Sequence, residues 1–102
     1  MSNIAILANS PVTMNSREIA ELAGKDHSNV MRDIRTLMQD LEQASNLNPF
    51  CESTTYQGIN GQKYPQYELD KDTCLTLLLG YDPVARMKVV KRWQELEADV
   101  GA

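Results

Sequence analysis

The chain has 102 residues, with 10 Lys and Arg against 14 Asp and Glu, a formal net charge of −4 and 42% apolar residues. That suffices for one modest core in a single domain, residues 1–102, and not for two. No apolar run approaches the ~20 residues of a membrane span, the start lacks the basic-then-apolar order of a secretory leader, and the acidic balance argues against a general nucleic-acid coating protein. A cytoplasmic protein is expected.

Residues 1–13 read as an N-terminal arm, with Ile4 to Ala8 as a short apolar strand or packing segment. Residues 15–42 read as a helix-turn-helix. Asn15 or Ser16 caps the first helix, and Glu18 stands three residues after Asn15 as a capping box requires. Ile19, Ala20, Leu22 and Ala23 form its apolar face, and Gly24 ends it. Lys25 and Asp26 complete the turn, Asp26 as cap of the second helix. There Val30, Ile34, Leu37 and Leu41 form an inner stripe that Met31 and Met38 widen.

The other side of the second helix carries the functional signal. At roughly 100° per residue, Ser28, Asn29, Arg32, Arg35, Thr36 and Gln39 gather on the arc facing away from the core. Arg and Asn can make paired hydrogen bonds to guanine and adenine edges, while Ser, Thr and Gln suit phosphates or single base contacts. A polar outer face on any soluble helix is the plainer explanation; the preceding helix and its glycine turn favour a groove reader. Asp33 and Asp40 point to the flank of this arc.

Gln43 to Pro49 reads as a loop. From Phe50 to Leu69 the texture is that of a β-hairpin around Gly58–Gly61, with Asn60-Gly61 the turn signal and Pro65 confining the return strand to an edge or bulge. A hairpin after a recognition helix occupies the place of a wing, which makes Gln57, Asn60, Gln62 and Lys63 secondary DNA candidates; a hairpin that only covers the core is the alternative. Asp70 caps a helix to about Leu79 that is apolar nearly all round and expected at the buried centre. Asp82-Pro83 opens a last helix to about Ala98. Its face of Ala85, Val89, Val90, Trp93 and Leu96 serves the core or a dimer, and its Arg86, Lys88, Lys91 and Arg92 read as a solvated face.

Catalysis finds no support. The single histidine, His27, falls at the core-facing edge of the second helix, where packing or capping is expected, and no cysteine stands at metal-ligand spacing from it. Cys51 and Cys74 are expected as reduced packing residues. Neither cofactor nor metal is expected.

NSREIAELAGKDHSNVMRDI resembles the opening motif of the phage regulatory protein Rha family, and YELDKDTCLTLLLGYDPVARMKVVKRWQELE resembles that family's later tyrosine strand, apolar helix and terminal helix. The resemblance implies a small temperate-phage or prophage protein that acts in gene regulation in the cytoplasm of a bacterial host. It also implies kinship with phage antirepressors. The expected fold is therefore α+β, a winged helix-turn-helix with a two-stranded hairpin (50–69) and two further C-terminal helices (70–98). The expected function is sequence-selective binding of double-stranded DNA, the protein acting alone or as a homodimer. Ser28, Asn29 and Arg32 would read bases; Arg35, Thr36 and Gln39 would set register; Ser16, Arg17, Lys25 and Lys63 would hold phosphates. The alternative is an antirepressor-type module that binds a repressor or another host or phage protein without touching DNA.

Overall fold

A computed structural model describes residues 12–101, the side chains of 45 and 99–101 excepted, so the Ile4 to Ala8 segment lies outside the described residues. The order is β1 (Met14–Asn15), α1 (Ser16–Ala23), α2 (His27–Leu41), a 3-10 segment (Glu42–Leu47), β2 (Cys51–Gln57), β3 (Lys63–Leu69), α3 (Lys71–Leu78) and α4 (Pro83–Gly101). The fold is α+β, and α1, α2 and the β2–β3 hairpin form a winged helix-turn-helix. No described helix is long and apolar enough to cross a membrane.

The sheet has three strands rather than the expected two, all antiparallel in the order β1-β3-β2. Met14 pairs with Leu69 and Asn15 with Glu68, so a two-residue strand ties the start of the helix-turn-helix to the root of the wing. Thr55 pairs with Pro65 on the other side of β3, where β1 does not reach. β3 is thus central at its end and an edge strand at Pro65, which is where a proline is tolerated.

The core gathers Met14, Ile19, Val30, Ile34, Leu69, Cys74, Leu78, Val89 and Trp93 from every layer. Trp93 is only 1% exposed and belongs to this core, so its place is inside the fold and not on a dimer surface. Burial pushes the Cys74 thiol up to about 11, against a weaker pull from the Trp93 indole. That contact falls short of a regular hydrogen bond, and the indole N–H has no other partner. Cys51 is raised by burial too, so both free cysteines stay protonated thiols at neutral pH.

Three further expectations change. The loop over Gln43 to Pro49 is mostly a 3-10 continuation of α2, kinked at Ala44 and stopped by Asn48 at φ 52; tightening the last turn engages carbonyls that a helix end leaves open. Leu79 at the end of α3 is 73% exposed, since Thr73, Cys74, Leu77 and Leu78 already fill the inward side. Arg92 is partly exposed as expected but is not a free cation: its Nε donates to Glu18 of α1 at 2.7 Å and its guanidinium also meets Glu95 at 3.1 Å. That pair fastens α4 to the first helix of the helix-turn-helix.

Candidate nucleic-acid interface

Local chemistry sets the angle between α1 and α2. Asn15 Oδ1 accepts the Glu18 N–H at 2.8 Å, starting α1 as a side-chain cap should. Gly24 ends it at φ 67, a left-handed conformation that costs a side-chain-bearing residue strain even though a Cβ there would meet nothing. The Gly24 and Lys25 N–H groups reach back to the Glu21 and Ala20 carbonyls at 3.3 and 3.0 Å, a Schellman closure. Asp26 holds the cap position of α2 through its carbonyl, which accepts from Asn29 and Val30 at 3.1 Å each; its carboxylate makes no capping bond.

On α2 the inner stripe is sealed, Val30 and Ile34 at 0% exposure. Leu37, Leu41 and Met38 are half-buried, so the stripe loosens toward the C-terminus. On the outer arc Ser28, Arg32, Arg35, Thr36 and Gln39 are exposed and Asn29 is half-buried. Neither hairpin nor α4 covers this side. Among the described residues Arg17, Arg32 and Arg35 form no ion pair, whereas Lys25, Lys71 and Arg92 do. A chain of net charge −4 therefore keeps free cations on and beside this helix. A groove of about 400 Å³ runs between α2 and the sheet, edged by Arg35, Met38, Gln39 and Tyr67.

The remaining nominated residues divide. Arg17, exposed at the start of α1, lies with its Cζ 3.9 Å above the Tyr56 ring of β2. Lys25 sits in the turn, its Nζ 4.1 Å above the Tyr81 ring and 3.6 Å from Asp33, which also accepts the Tyr81 hydroxyl at 3.2 Å. Lys63 is exposed opposite Gln57 at the base of the hairpin turn. At the tip Gln57, Asn60 and Gln62 spend their side-chain amides on the turn: Gln57 donates to the Gly61 carbonyl at 3.2 Å, Asn60 donates to the Tyr64 hydroxyl at 3.0 Å, and Gln62 Oε1 accepts from that hydroxyl at 3.1 Å. Gly61 takes φ 83 and Asn60 does not share that hand, so the strands are joined by a three-residue loop, Ile59 to Gly61, rather than by a two-residue Asn-Gly turn. The loop is closed by the bonds from the Gly61 N–H to the Gly58 carbonyl and from the Gly58 N–H to the Gln62 carbonyl.

Ser16 is corrected. Its side chain is 0% exposed and reaches no phosphate. Its hydroxyl accepts the Tyr67 N–H at 3.0 Å, lies 2.8 Å from His27 Nε2 and 3.3 Å from Met31 Sδ, and so joins α1, α2 and β3. Sequence reasoning placed Ser16 beside the cap, where a polar side chain usually points outward; its partners stand up to 51 positions away. Tyr56 and Tyr81, the two ring seats, carry no local sequence pattern that marks them.

His27 is half-buried, hydrogen-bonded to Ser16 and edge-on to Tyr56 at 5.9 Å. Its pKa is lowered from 6.5, first by desolvation and then by the Arg17 charge. A histidine depressed in the folded state takes up its proton more readily when unfolded, so stability should be full above 6.5 and fall as pH drops below it. Chemical denaturation of the natural chain and His27→Gln between about pH 7.5 and 5.5 should show the natural chain losing ground to the variant on acidification. Parallel curves would contradict this.

The sequence profile of a family described as phage regulatory protein Rha matches residues 14–98, from β1 into α4. An uncharacterized protein of Haemophilus influenzae is 39% identical over an alignment of 79 residues that covers 76% of this chain and 44% of that protein. The chain thus spans under half the length of this curated relative. No solved structure matches the chain. With the profile running through both helices, the hairpin and the terminal helix, the chain belongs to the phage regulatory protein Rha family.

Proposed function

We propose that this Rha-family regulator works by sequence-selective binding of double-stranded DNA, with α2 in the major groove. The single observation that carries the reading is the outer arc of α2, on which Arg32 and Arg35 are exposed and form no ion pair among the described residues. Ser28, Asn29 and Arg32, in the first turns, read base edges; Arg35, Thr36 and Gln39 set register along the groove. Arg17, Lys25 and Lys63 hold phosphates on either side, Lys25 less strongly because Asp33 already neutralises part of its charge. The setting is the cytoplasm of a bacterial host.

Selection from a random duplex library tests this. An enriched motif is expected, and its symmetry will report whether one copy or two engage the site. Its affinity should fall steeply between about 50 and 200 mM salt as counterions are released. No enrichment would instead favour a protein-binding regulator. One observation supports that second reading: α4 exposes Val84 (64%) and Met87 (57%), beside Leu22 in a groove of about 550 Å³. Binding through the apolar part of that face would vary less steeply with salt, Lys88 and Lys91 at its border contributing a smaller dependence.

A further inference from the structure

Two of the cations flanking α2 rest on tyrosine rings, and the two seats differ. Lys25 over Tyr81 is also 3.6 Å from Asp33, so it meets a duplex already partly neutralised. Arg17 over Tyr56 is in no ion pair among the described residues. Its ring is itself held from two sides, by Tyr64 at 5.7 Å across the hairpin and by the edge of His27 at 5.9 Å. The seat thus stands where the wing, the start of α1 and the first residue of α2 meet.

An exposed arginine loses rotamer freedom when it grips an anion. A ring that already holds the guanidinium removes part of that loss, and stacking on an aromatic face leaves the planar group's edge donors free for two phosphate oxygens. The surroundings of His27 lower its pKa, so at neutral pH it adds little charge beside Arg17. We infer that Tyr56 is a positioning residue: it holds the Arg17 guanidinium for one backbone phosphate beside the N-terminus of α2 and so couples the wing to the recognition helix. The inference rests on the DNA-binding reading, and it makes Tyr56 as much a part of the interface as the arginine it carries.

The test has a DNA-free arm and a DNA arm. In the free protein the Arg17 side-chain Nε–H resonance should be shifted by the ring current of residue 56, in the natural chain and in Tyr56→Phe, and should move to its ordinary position in Tyr56→Leu. With the duplex enriched by selection, Tyr56→Leu should bind about two- to fivefold more weakly, the range expected of an exposed cation–π contact. Tyr56→Phe should retain binding. Arg17→Ala should lower the slope of log affinity against log salt by roughly one, and adding Tyr56→Leu to it should cost nothing further. Thermal midpoints of all variants check that each is folded, and should Tyr56→Leu fail to fold, Tyr56→Met takes its place in both arms. An unshifted Arg17 resonance, unchanged binding by folded Tyr56→Leu, or additive losses in the double variant would overturn the positioning role. Failure of the natural chain to bind any duplex would overturn it together with the DNA-binding reading, whatever the resonance shows.

Discussion

Trp93→Ala is expected to cost about 3–5 kcal/mol of folding stability, the range for removing a large aromatic from a closed core. A domain of this size holds about 5–15 kcal/mol in all, so the variant should sit near the limit of folding. The indole is 1% exposed and belongs to the cluster in which Ile19 of α1, Leu78 of α3 and Val89 of α4 are also sealed. Its loss leaves a cavity that several elements would have to move to fill. Urea denaturation followed by far-UV circular dichroism measures the cost, the variant having lost the chain's one tryptophan as a fluorophore. The midpoint of the natural chain should not vary with protein concentration on account of this residue. A loss below about 1 kcal/mol, or one that appears only at high concentration, would place the indole at a surface between molecules.

Arg32→Ala is the corresponding expectation for function. Arg32 is exposed and makes no ion pair among the described residues, so its truncation should leave stability within the small range of ordinary surface changes. Selectivity should change far more. A bidentate arginine–guanine contact contributes about 1–3 kcal/mol of discrimination, roughly 5- to 150-fold, against a wrong base at one position. Competition of the enriched duplex against its single-base variants should therefore show preference collapsing at one position while the others keep theirs. Equal affinity of Arg32→Ala and the natural chain for the enriched duplex would remove Arg32 from base readout.

The readable parts of this chain were its local ones. Asn15, Gly24, Asp70 and Asp82 each act within three to five positions of themselves, and each caps or closes the helix its spacing indicated. The arc of α2 is likewise a property of one helix. What the linear order concealed is contact across the fold. The two-residue strand β1 exists only because Leu69 lies alongside, 55 positions from Met14. Ser16 carries a side chain that ordinarily faces water, and only the approach of Tyr67 and His27 turns it inward. Arg92 looked like one of several lysines and arginines on a wet helix until Glu18 came within 2.7 Å of it. The tyrosine seats are of the same kind, since the pairs Arg17–Tyr56 and Lys25–Tyr81 share no periodicity.

Pro65 carries a consequence for how the molecule keeps to itself. The closing bond of the hairpin, from the Gly58 N–H to the Gln62 carbonyl, fixes the alternation along β3, so that the backbone nitrogens of Pro65 and Tyr67 face away from β2. One has no hydrogen to offer, and the other has given its hydrogen to Ser16. A foreign strand arriving at that margin would find its ladder broken at two successive rungs, which is how unpaired sheet edges avoid templating aggregates. On that margin the hairpin can stand clear of the body without offering its own kind a continuous ladder.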